Sequence, residues 1–544
     1  FISLTVTQPR TALVSRARLP LDPMPFGYSL SSSDTQYSLL LLSGASLIVG
    51  LHIARSLNSG PPTRHPPGPR PHPLVGHTLQ VPTIQTWKYF EKLYHQYGPI
   101  VRLSLAGDNV VVLSDPRDAE ELLGRRSHNY SSRPQLIYAG KYQSNNQRMV
   151  LLPYGEVLKR QRSAFHQMLQ PRVVGAYEGM QETESLQLLH DLVSSPEDAF
   201  KHCGRFAASL VFTLSYGERL KSDGKDLDAV QSVLRGFVKD TYPGSHLVDT
   251  FPVLDLLPDW LAPWRSEARR KHDFEVELYT RLSGEVKVRM HGDIETECFA
   301  ARLWEQQEKM KLSAEELSYV AGSAFEAGTD TTTGTVLWFL MAALLFPETV
   351  KRAQAEIDSA VDEDTVPGFA VFRELPYCAA FVKELFRWAP AAPGGFPHVA
   401  DADDEYQGFE IRKGTMVIPC IWNMHHNEKE FPESYTFDPS RFLSSDPATQ
   451  EEHVFDLTEG HYGFGFGRRV CPGKYMATKT IWIAVVRILW AFNLELPENV
   501  DMPKPECCTS GMTSKPLDFP IRITARSAAR LVAIRREFLA AVQN

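Results

Sequence analysis

The sequence predicts a mainly α-helical fold with small β-sheets. Helical periodicity dominates the stretch 119–305, where prolines interrupt it repeatedly. The same periodicity returns in four later runs, 313–346, 348–361, 377–388 and 474–492. Alternating, β-branched patterns are confined to three short segments, 98–114, 406–417 and 517–523. A hydrophobic content of 43% over 544 residues is enough for a sizeable core.

Individual elements have recognisable local signals. The segment 98–114 is rich in isoleucine and valine and predicts paired strands, and 406–417 predicts a hairpin. Ser313 followed by Glu316 is a capping-box pattern, which predicts that a long helix begins there. That helix is expected to end at Phe346, because Pro347 cannot continue its hydrogen-bond ladder.

Charge and cysteine usage exclude some classes of protein. The net charge is −8 and there is no long run of one sign, so we expect no nucleic-acid partner. The odd number of cysteines argues against a disulfide framework and for a reducing compartment. The seven cysteines are Cys203, Cys298, Cys378, Cys420, Cys471, Cys507 and Cys508.

The uncharged run 35–54 predicts a transmembrane anchor. As a helix it would be about 30 Å long at ~1.5 Å per residue, which matches the hydrocarbon core of a bilayer. Asp34 precedes it and Arg55, Arg64 and Arg70 follow, so the positive-inside rule places the rest of the chain in the cytosol. The alternatives are a cleaved signal peptide and a buried core helix.

The anchor divides the chain into five predicted segments. Because the chain begins with Phe1, residues before Met24 are interpreted as a gene-model artefact within the tail. Prolines crowd the segment after the anchor, which predicts a semi-rigid linker. The segments are the tail 1–34, the anchor 35–54, the linker 55–76, one large domain 77–526 and a helical extension 527–544.

The strongest chemical signal is a glycine-rich segment around Cys471. A thiolate that binds a metal needs a tight turn, which Gly467 and Gly473 permit, and gains from the positive end of a following helix. Phe464 is a candidate wall against water, and Arg469 a candidate cation for an anionic group. The alternative is an ordinary buried cysteine in a glycine-rich loop.

This segment resembles the cysteine loop of the cytochrome P450 family, Phe-x-x-Gly-x-Arg-x-Cys-x-Gly, at every specified position of 464–473. Three further blocks follow the family's order, so the resemblance covers about Pro67 to Arg526. It implies the cytochrome P450 fold and haem b (iron protoporphyrin IX), with Cys471 as axial ligand. It also implies that Arg469 contacts a haem propionate and that 77–526 is a haem-thiolate monooxygenase domain.

The first further block runs from Ala327 to Thr332 in the middle of the long helix. Glycine among threonines weakens the helical ladder and can bend it, which would leave a small groove. By resemblance, Asp330 and Thr331 relay protons to bound oxygen. The alternative is a threonine-rich buried helix.

The second block is Glu384 with Arg387, which lie on one helical face at spacing i, i+3. Such a pair is usually a solvated surface ion pair. The segment 437–442 follows at the family's distance, so the resemblance implies a buried triad with Arg441. Its role would be structural.

The remaining family positions concern the haem edge. The resemblance implies that His398, after Pro397, contacts a propionate, although a lone histidine is more often a packing or surface residue. Arg162 is expected to contact a propionate as well. Leu158 stands where the family usually has tryptophan, so the indole N–H contact to the haem would be lost and haem retention would be weaker.

Electrons must come from another protein, because no Gly-x-Gly-x-x-Gly fingerprint follows a strand. The resemblance implies NADPH–cytochrome P450 reductase on the same membrane, the endoplasmic reticulum. Four residues are candidates for a basic docking face, although a single residue of this kind is more often just a solvated charge. They are Lys159, Arg160, Arg468 and Lys474.

The expected reaction is insertion of one oxygen atom of O₂ into a lipophilic secondary metabolite or xenobiotic. Substrate contacts are expected from 131–149, Phe325, Ala327, 392–396 and 511–513. The alternatives are a reductase-independent haem-thiolate isomerase or dehydratase, and a non-catalytic haem-binding or scaffold protein. Asp330 and Thr331 favour oxygenation, since the isomerase has no need of protons for O₂.

Overall fold

The computed structural model describes residues 64–73, 75–220, 225–242, 244–292, 297–444 and 453–543. The described residues belong to one compact unit, Ser59–Asn544. The predicted tail 1–34, the predicted anchor 35–54 and the first part of the predicted linker, 55–63, lie outside the described residues.

The described part of the chain is mainly helical, as the sequence predicts. The α-helices of seven or more residues are α1 (Thr86–Tyr97), α2 (Glu156–Leu169), α3 (Glu178–Ser194), α4 (Ala199–Tyr216), α5 (Lys225–Asp240), α6 (Pro263–His291), α7 (Phe299–Glu305), α8 (Ala314–Leu345), α9 (Pro347–Ala360), α10 (Pro376–Trp388), α11 (Lys474–Ala491) and α12 (Ala528–Gln543). Short α-helices are Pro116–Ala119, Pro171–Val174, Leu247–Thr250, Gln307–Met310 and Ile421–His425. Short π-helices are Glu120–Arg125 and Ile137–Gln143.

Helix α8 is the central element of the fold. The Ser313 hydroxyl accepts a hydrogen bond from the Glu316 amide at 3.0 Å, which confirms the predicted start. The helix is buried along most of its length and packs against α4, α6 and α11. The largest hydrophobic cluster joins its second half to α10 and α11, with Trp482 and Trp490 fully buried.

The β-structure consists of small sheets. Strands β1 (Ile100–Leu105) and β2 (Asp108–Leu113) pair antiparallel, as predicted, with Val101 opposite Val112. Strand β6 (Met416–Pro419) lies parallel to β2 and antiparallel to β3 (His398–Val399), which gives the order β1-β2-β6-β3. The other two sheets are β4 (Asp404–Tyr406) with β5 (Phe409–Ile411), and β7 (Phe492–Glu495) with β8 (Arg522–Ala525).

The prediction of one hairpin over 406–417 was therefore wrong in its bounds. The hairpin is β4–β5, and it turns at Gln407 and Gly408, both of which have positive φ. The apolar end of the predicted segment belongs to β6, which the parallel pairing with β2 draws into the larger sheet. A parallel partner far away in sequence leaves no local signal.

The described end of the proline-rich segment packs on the domain. The Arg102 amide donates to the Pro67 carbonyl at 2.9 Å, and His77 Nε2 lies 2.9 Å from the Pro69 carbonyl oxygen. The Glu410 amide donates to the Arg64 carbonyl at 2.9 Å. The described residues of 64–76 are therefore in contact with the sheets.

Among the described residues, no single helix combines the length and apolar character needed to cross a membrane. Helices α8 and α9 pass such a test only as a pair, and they meet at a bend of 106°.

Candidate functional site: the cysteine loop and the central helix

The loop that carries Cys471 is closed by main-chain hydrogen bonds. The Cys471 amide donates to the Phe464 carbonyl at 2.9 Å, and the Gly465 amide donates to the Tyr462 carbonyl at 3.0 Å. Gly467 has φ +54°, and a β-carbon there would lie 1.9 Å from the Leu123 carbonyl oxygen. Gly467 therefore lies closer to the Leu123 carbonyl than a residue with a side chain could.

Gly473 has a different role from the one predicted. Its φ is −90°, so it is not a left-handed turn residue. The glycines with positive φ in this segment are Gly465 and Gly467. A β-carbon on Gly473 would lie 3.9 Å from the Cys471 sulfur, and the Gly473 amide hydrogen-bonds to that sulfur. The Gly473 amide therefore stabilises the thiolate form of Cys471 directly, through this hydrogen bond.

Opposing influences act on the Cys471 thiol. Burial is the largest of them and leaves the pKa of the thiol above its usual value, while the hydrogen bond from Gly473 and the charges of Arg162 and Lys474 act to lower it. Helix α11 begins at Lys474, directly after this turn. The surroundings that favour a thiolate are therefore cationic and amide groups, the set that supports a thiolate ligand.

Arg469 is anchored by three main-chain carbonyls. Its Nε donates to Ser131 at 2.6 Å, one Nη donates to Met149 at 3.2 Å, and the other donates to Leu152. A guanidinium has five N–H donors, so two remain for another acceptor. Burial, followed by the charge of Arg162, lowers the pKa of Arg469 to about 10.

Two more arginines lie beside Arg469. Arg162 donates to the Val470 carbonyl at 2.8 Å, next to Cys471. Arg133 donates to the carbonyls of Phe396 at 3.0 Å and Pro397 at 2.6 Å. The Nε atom of Arg133 is buried and has no hydrogen-bond partner among the described residues.

These three guanidinium groups fit an anionic cofactor. Burial and the charges of Arg469 and Arg162 hold the pKa of Arg133 well below its usual range. The negative charge of Asp401 opposes this effect at Arg469, whose pKa it raises. A dianionic group such as the two haem propionates would balance this excess of positive charge and give the Arg133 Nε an acceptor. Arg133, Arg162 and Arg469 would hold the propionates, with Cys471 on the iron.

His398 lies in the same cluster but is held by its Nδ1. That atom is 2.6 Å from the Tyr130 carbonyl oxygen, which can only accept, so Nδ1 carries the proton. Burial, and then the charge of Arg133, hold the pKa of His398 well below its usual range. A neutral ring with this tautomer presents Nε2 as an acceptor, so a contact with a carboxylate would require protonation.

The predicted apolar positions Phe464 and Leu158 are both turned away from solvent to some degree. Phe464 is partly buried, and its ring centroid is 5.2 Å from that of Phe386. Leu158, which replaces the family's usual tryptophan, is 2% exposed on α2. It faces the interior, as the matched position requires.

The predicted charge triad is present. Arg387 Nε lies 2.6 Å from Glu384 Oε2, with both side chains fully buried. Arg441 Nε lies 3.4 Å from the other carboxylate oxygen of Glu384. This confirms the sequence prediction and excludes the surface alternative.

Helix α8 exposes one stripe in its otherwise buried middle. Between Leu317 and Leu344, the residues that are not buried are Ser323, Ala327, Gly328, Asp330 and Thr331. Ser323, Ala327, Asp330 and Thr331 follow the spacing i, i+4, i+7, i+8 and lie on one side of the helix, while Gly328 lies against Val211 of α4. The segment is continuous α-helix, so the bend that the glycine and threonines predicted is not required to open this stripe.

The two predicted relay residues lie on this stripe. The Thr331 hydroxyl donates to the Ala327 carbonyl at 2.9 Å, one turn back. Its oxygen remains able to accept a hydrogen bond. Both carboxylate oxygens of Asp330 have partners, Lys515 at 2.8 Å and the Thr513 hydroxyl at 2.7 Å. Phe325 is 1% exposed and packs on Phe212, so it belongs to the core, and its contact with substrate stays a prediction.

The predicted basic docking residues all have partners within the protein. Lys159 pairs with Glu156 at 2.7 Å, Arg160 with Glu316 at 3.1 Å and Lys474 with Glu459 at 3.7 Å. Arg468 donates to the Tyr154 hydroxyl.

Sequence reasoning missed Arg133 and Lys515. The signal for Arg133 was available, because it is an isolated cation before Pro134 in a stretch rich in serine and apolar residues. Lys515 had no local signal, since its partner Asp330 is distant in sequence.

Comparison with known proteins agrees with this site. The family model described as Cytochrome P450 matches residues 66–521. Cytochrome P450 monooxygenase 58 of Postia placenta is 34% identical over 504 residues, covering 91% of this chain and 94% of the relative. Cytochrome P450 monooxygenase aneD of Aspergillus aculeatus is 35% identical over 479 residues, covering 85% and 88%.

A solved structure has the same fold. A zebra fish cytochrome P450 determined with abiraterone matches with a TM-score of 0.66 at 22% identity, covering 81% of this chain and all (100%) of that one. With the family match over most of the chain, the cysteine loop and the arginine cluster, we conclude that the chain belongs to the cytochrome P450 family and is a haem-thiolate monooxygenase.

Proposed function

We propose that this monooxygenase inserts one oxygen atom of O₂ into a lipophilic small molecule, a secondary metabolite or xenobiotic. Its electrons would come from NADPH through a separate NADPH–cytochrome P450 reductase. The observation that carries the proposal is the pairing of the Cys471 loop with the cluster Arg133, Arg162 and Arg469. Haem held there through a thiolate supplies the activation of O₂.

Apolar groups support a lipophilic substrate. Phe396 and Met512 are partly buried and belong to segments that the family places around the substrate. Ala327 adds an exposed apolar position on the stripe of α8. The stripe also carries polar side chains, Thr331 among them, so the support for a substrate held by shape and apolar area comes from the apolar positions of these segments.

The proton-handling residues favour oxygenation over isomerisation. Asp330 and Thr331 are adjacent on the accessible stripe of α8, and an acid beside a hydroxyl can pass protons inward from water. A reductase-independent isomerase or dehydratase has no use for such a pair, because it reduces no O₂. Among the described residues, no feature specifically favours the isomerase or dehydratase.

We further propose that the enzyme is a single-pass protein of the endoplasmic reticulum membrane with its catalytic domain in the cytosol. The support is the uncharged sequence 35–54 and the arginines that follow it. Removal of residues 1–62 should move much of the protein from membranes to the soluble fraction and leave haem binding intact. Loss of the fold in that variant would mean that the run is a core helix.

The central experiment is the absorption spectrum of the reduced, CO-bound holoenzyme. Cys471→Ser should abolish the thiolate-type spectrum, while the matched control Cys507→Ser, at an exposed cysteine, should keep it. An unchanged spectrum in Cys471→Ser would show that another residue is the ligand. Substrates are then sought in a compound library by the low- to high-spin optical shift. Product formation that needs no NADPH or reductase would favour the isomerase.

A further inference from the structure

A turn near the end of the chain lies across the middle of helix α8. The turn, residues 509–515, is closed by the Thr509 amide on the Lys515 carbonyl at 2.8 Å and by the Lys515 amide on the Thr509 hydroxyl at 3.1 Å. Gly511 at its tip has φ +145°. We call this segment the 509–515 turn.

The backbone of the 509–515 turn is fixed to its surroundings. The Ser514 amide donates to the Ala391 carbonyl at 2.9 Å, and the Trp338 indole donates to the Ser514 carbonyl at 3.2 Å. Gly334 of α8 allows the close approach, because a β-carbon there would lie 3.2 Å from the Lys515 β-carbon. These contacts hold the backbone of the 509–515 turn against α8.

Two side chains from this turn bind the Asp330 carboxylate. Lys515 Nζ lies 2.8 Å from Oδ1, and the Thr513 hydroxyl donates to Oδ2 at 2.7 Å. The Asp330 side chain is 14% exposed and that of Lys515 is 38% exposed. A solvated ion pair usually has one contact and contributes ~0–1 kcal/mol. Here a second hydrogen bond and a fixed backbone hold both carboxylate oxygens.

We propose that Lys515 is a positioning residue for Asp330. Together with Thr513 it holds the carboxylate in one place beside Thr331, so that proton supply along α8 depends on the 509–515 turn. This inference rests on the proposed function, in which Asp330 handles protons. The same turn carries Met512, one of the expected substrate contacts, so the arrangement links the substrate side of the site to the proton side.

The contact itself is tested by a double-mutant cycle on the full-length holoenzyme, which needs no catalytic activity. Urea midpoints are compared for wild type, Lys515→Met, Asp330→Asn and the double variant. Lys515→Met should lower the midpoint in the wild-type background and leave it nearly unchanged in the Asp330→Asn background. Additive effects would show that the two side chains do not interact in solution and would overturn the proposal.

The role is tested by turnover with reductase and a substrate from the library screen. Lys515→Met should lower kcat several-fold with KM changed less than twofold, Lys515→Arg should recover most of the loss, and the double variant should resemble Asp330→Asn. Thr513→Val should lower kcat in the same direction, which gives an independent arm if Lys515→Met folds poorly. The control is Lys479→Met, which removes a lysine of similar exposure, 35%, from its pair with Glu178.

Wild-type kcat in Lys515→Met, or an equal further loss in the Asp330→Asn background, would overturn the positioning role. The failure of the proposed function has a different signature. In that case the wild-type holoenzyme forms no NADPH-dependent product, while the urea cycle still reports whether the contact exists.

Discussion

Arg148 and Glu326 form a buried ion pair that joins the loop before α2 to the central helix. Arg148 Nη2 lies 2.5 Å from Glu326 Oε1, and both side chains are almost inaccessible. Glu275 of α6 lies 3.1 Å from the same guanidinium group. The hydroxyls of Tyr279 and Tyr319 donate to Glu326 and Glu275 respectively. One cation therefore balances two carboxylates where α6, α8 and the loop meet.

Arg148→Met should destabilise the protein by about 3–5 kcal/mol, because it leaves two buried carboxylates without their cation. Burial already raises the pKa of Glu275, and the charge of Arg148 opposes that shift. The measurement is urea unfolding near neutral pH. Adding Glu326→Gln to Arg148→Met should recover part of the loss.

The control for this prediction is Arg412→Met, since Arg412 is exposed and its partner Glu410 is 3.7 Å away. That change should alter stability by no more than about 0.5 kcal/mol. Equal effects of Arg148→Met and Arg412→Met would contradict a structural role for the buried network.

Much of the fold and part of the site follow from local sequence. The start of α8 at Ser313 and the Glu384–Arg387 pair depend on residues three positions apart, so their signals are visible in a short window. Cys471 is marked by the pattern of its own loop. The family resemblance then adds Arg162, Asp330 and Thr331, which periodicity alone would leave as ordinary helical residues.

What could not be predicted depends on pairs that meet only in the folded chain. Glu326 lies in an apolar helical segment, which predicts that it has a buried partner. The sequence does not identify that partner as Arg148. Nothing in the sequence distinguishes Lys515 from the other lysines, because only the fold brings it to Asp330. The bounds of β5 and β6 were missed for the same reason, since β6 is selected by its parallel pairing with β2.

Arg133→Met should weaken haem retention. Arg133 carries a buried, unpartnered Nε in the arginine cluster, so it is placed to make a charge-assisted hydrogen bond to a propionate. Such a bond contributes about 1.5–3 kcal/mol, which corresponds to a haem-loss rate roughly 10- to 100-fold faster. The measurement is the rate of haem transfer to an excess of apomyoglobin, followed by absorbance. Arg117→Met, at a mostly exposed arginine, is the control and should match wild type. Wild-type haem loss in Arg133→Met would remove Arg133 from the haem edge.

The stability of the protein should fall as the pH drops from about 6.5 towards 4, in part through His461. Burial lowers the pKa of His461 to about 4, against ~6.5 in an unfolded chain. Between those values the unfolded chain binds more protons, so stability rises with pH, by up to ~1.4 kcal/mol per pH unit for this group.

The variant His461→Gln tests this pH dependence. It cannot titrate, so its stability relative to wild type should improve by about 2 kcal/mol on going from pH 7 to pH 5. The measurement is the urea midpoint of both proteins at the two pH values. Parallel pH profiles would show that His461 does not titrate between them.

Thr331→Val should lower the product formed per NADPH consumed and leave the fold almost intact. The two side chains have similar shapes, and the hydrogen bond to the Ala327 carbonyl at 2.9 Å is a local one. Its loss should therefore cost only ~1 kcal/mol of stability. What disappears is a hydroxyl oxygen on the accessible stripe of α8, next to Asp330, that can hold a water or pass on a proton. Positioned acid–base groups of this kind typically contribute about 10²–10⁴-fold in rate.

When protons are no longer placed correctly, O₂ that has taken up two electrons and two protons should leave as hydrogen peroxide more often than its O–O bond breaks. The measurement is therefore NADPH consumed, hydrogen peroxide formed and product formed in one reaction with reductase. Thr333→Val is the matched control, because Thr333 is a buried threonine on the same helix whose hydroxyl donates to the Thr329 carbonyl at 2.7 Å. It removes the same kind of helix contact away from the stripe and should keep wild-type coupling. Equal coupling in Thr331→Val and Thr333→Val would make Thr331 a packing residue and would strengthen the reductase-independent isomerase as the alternative.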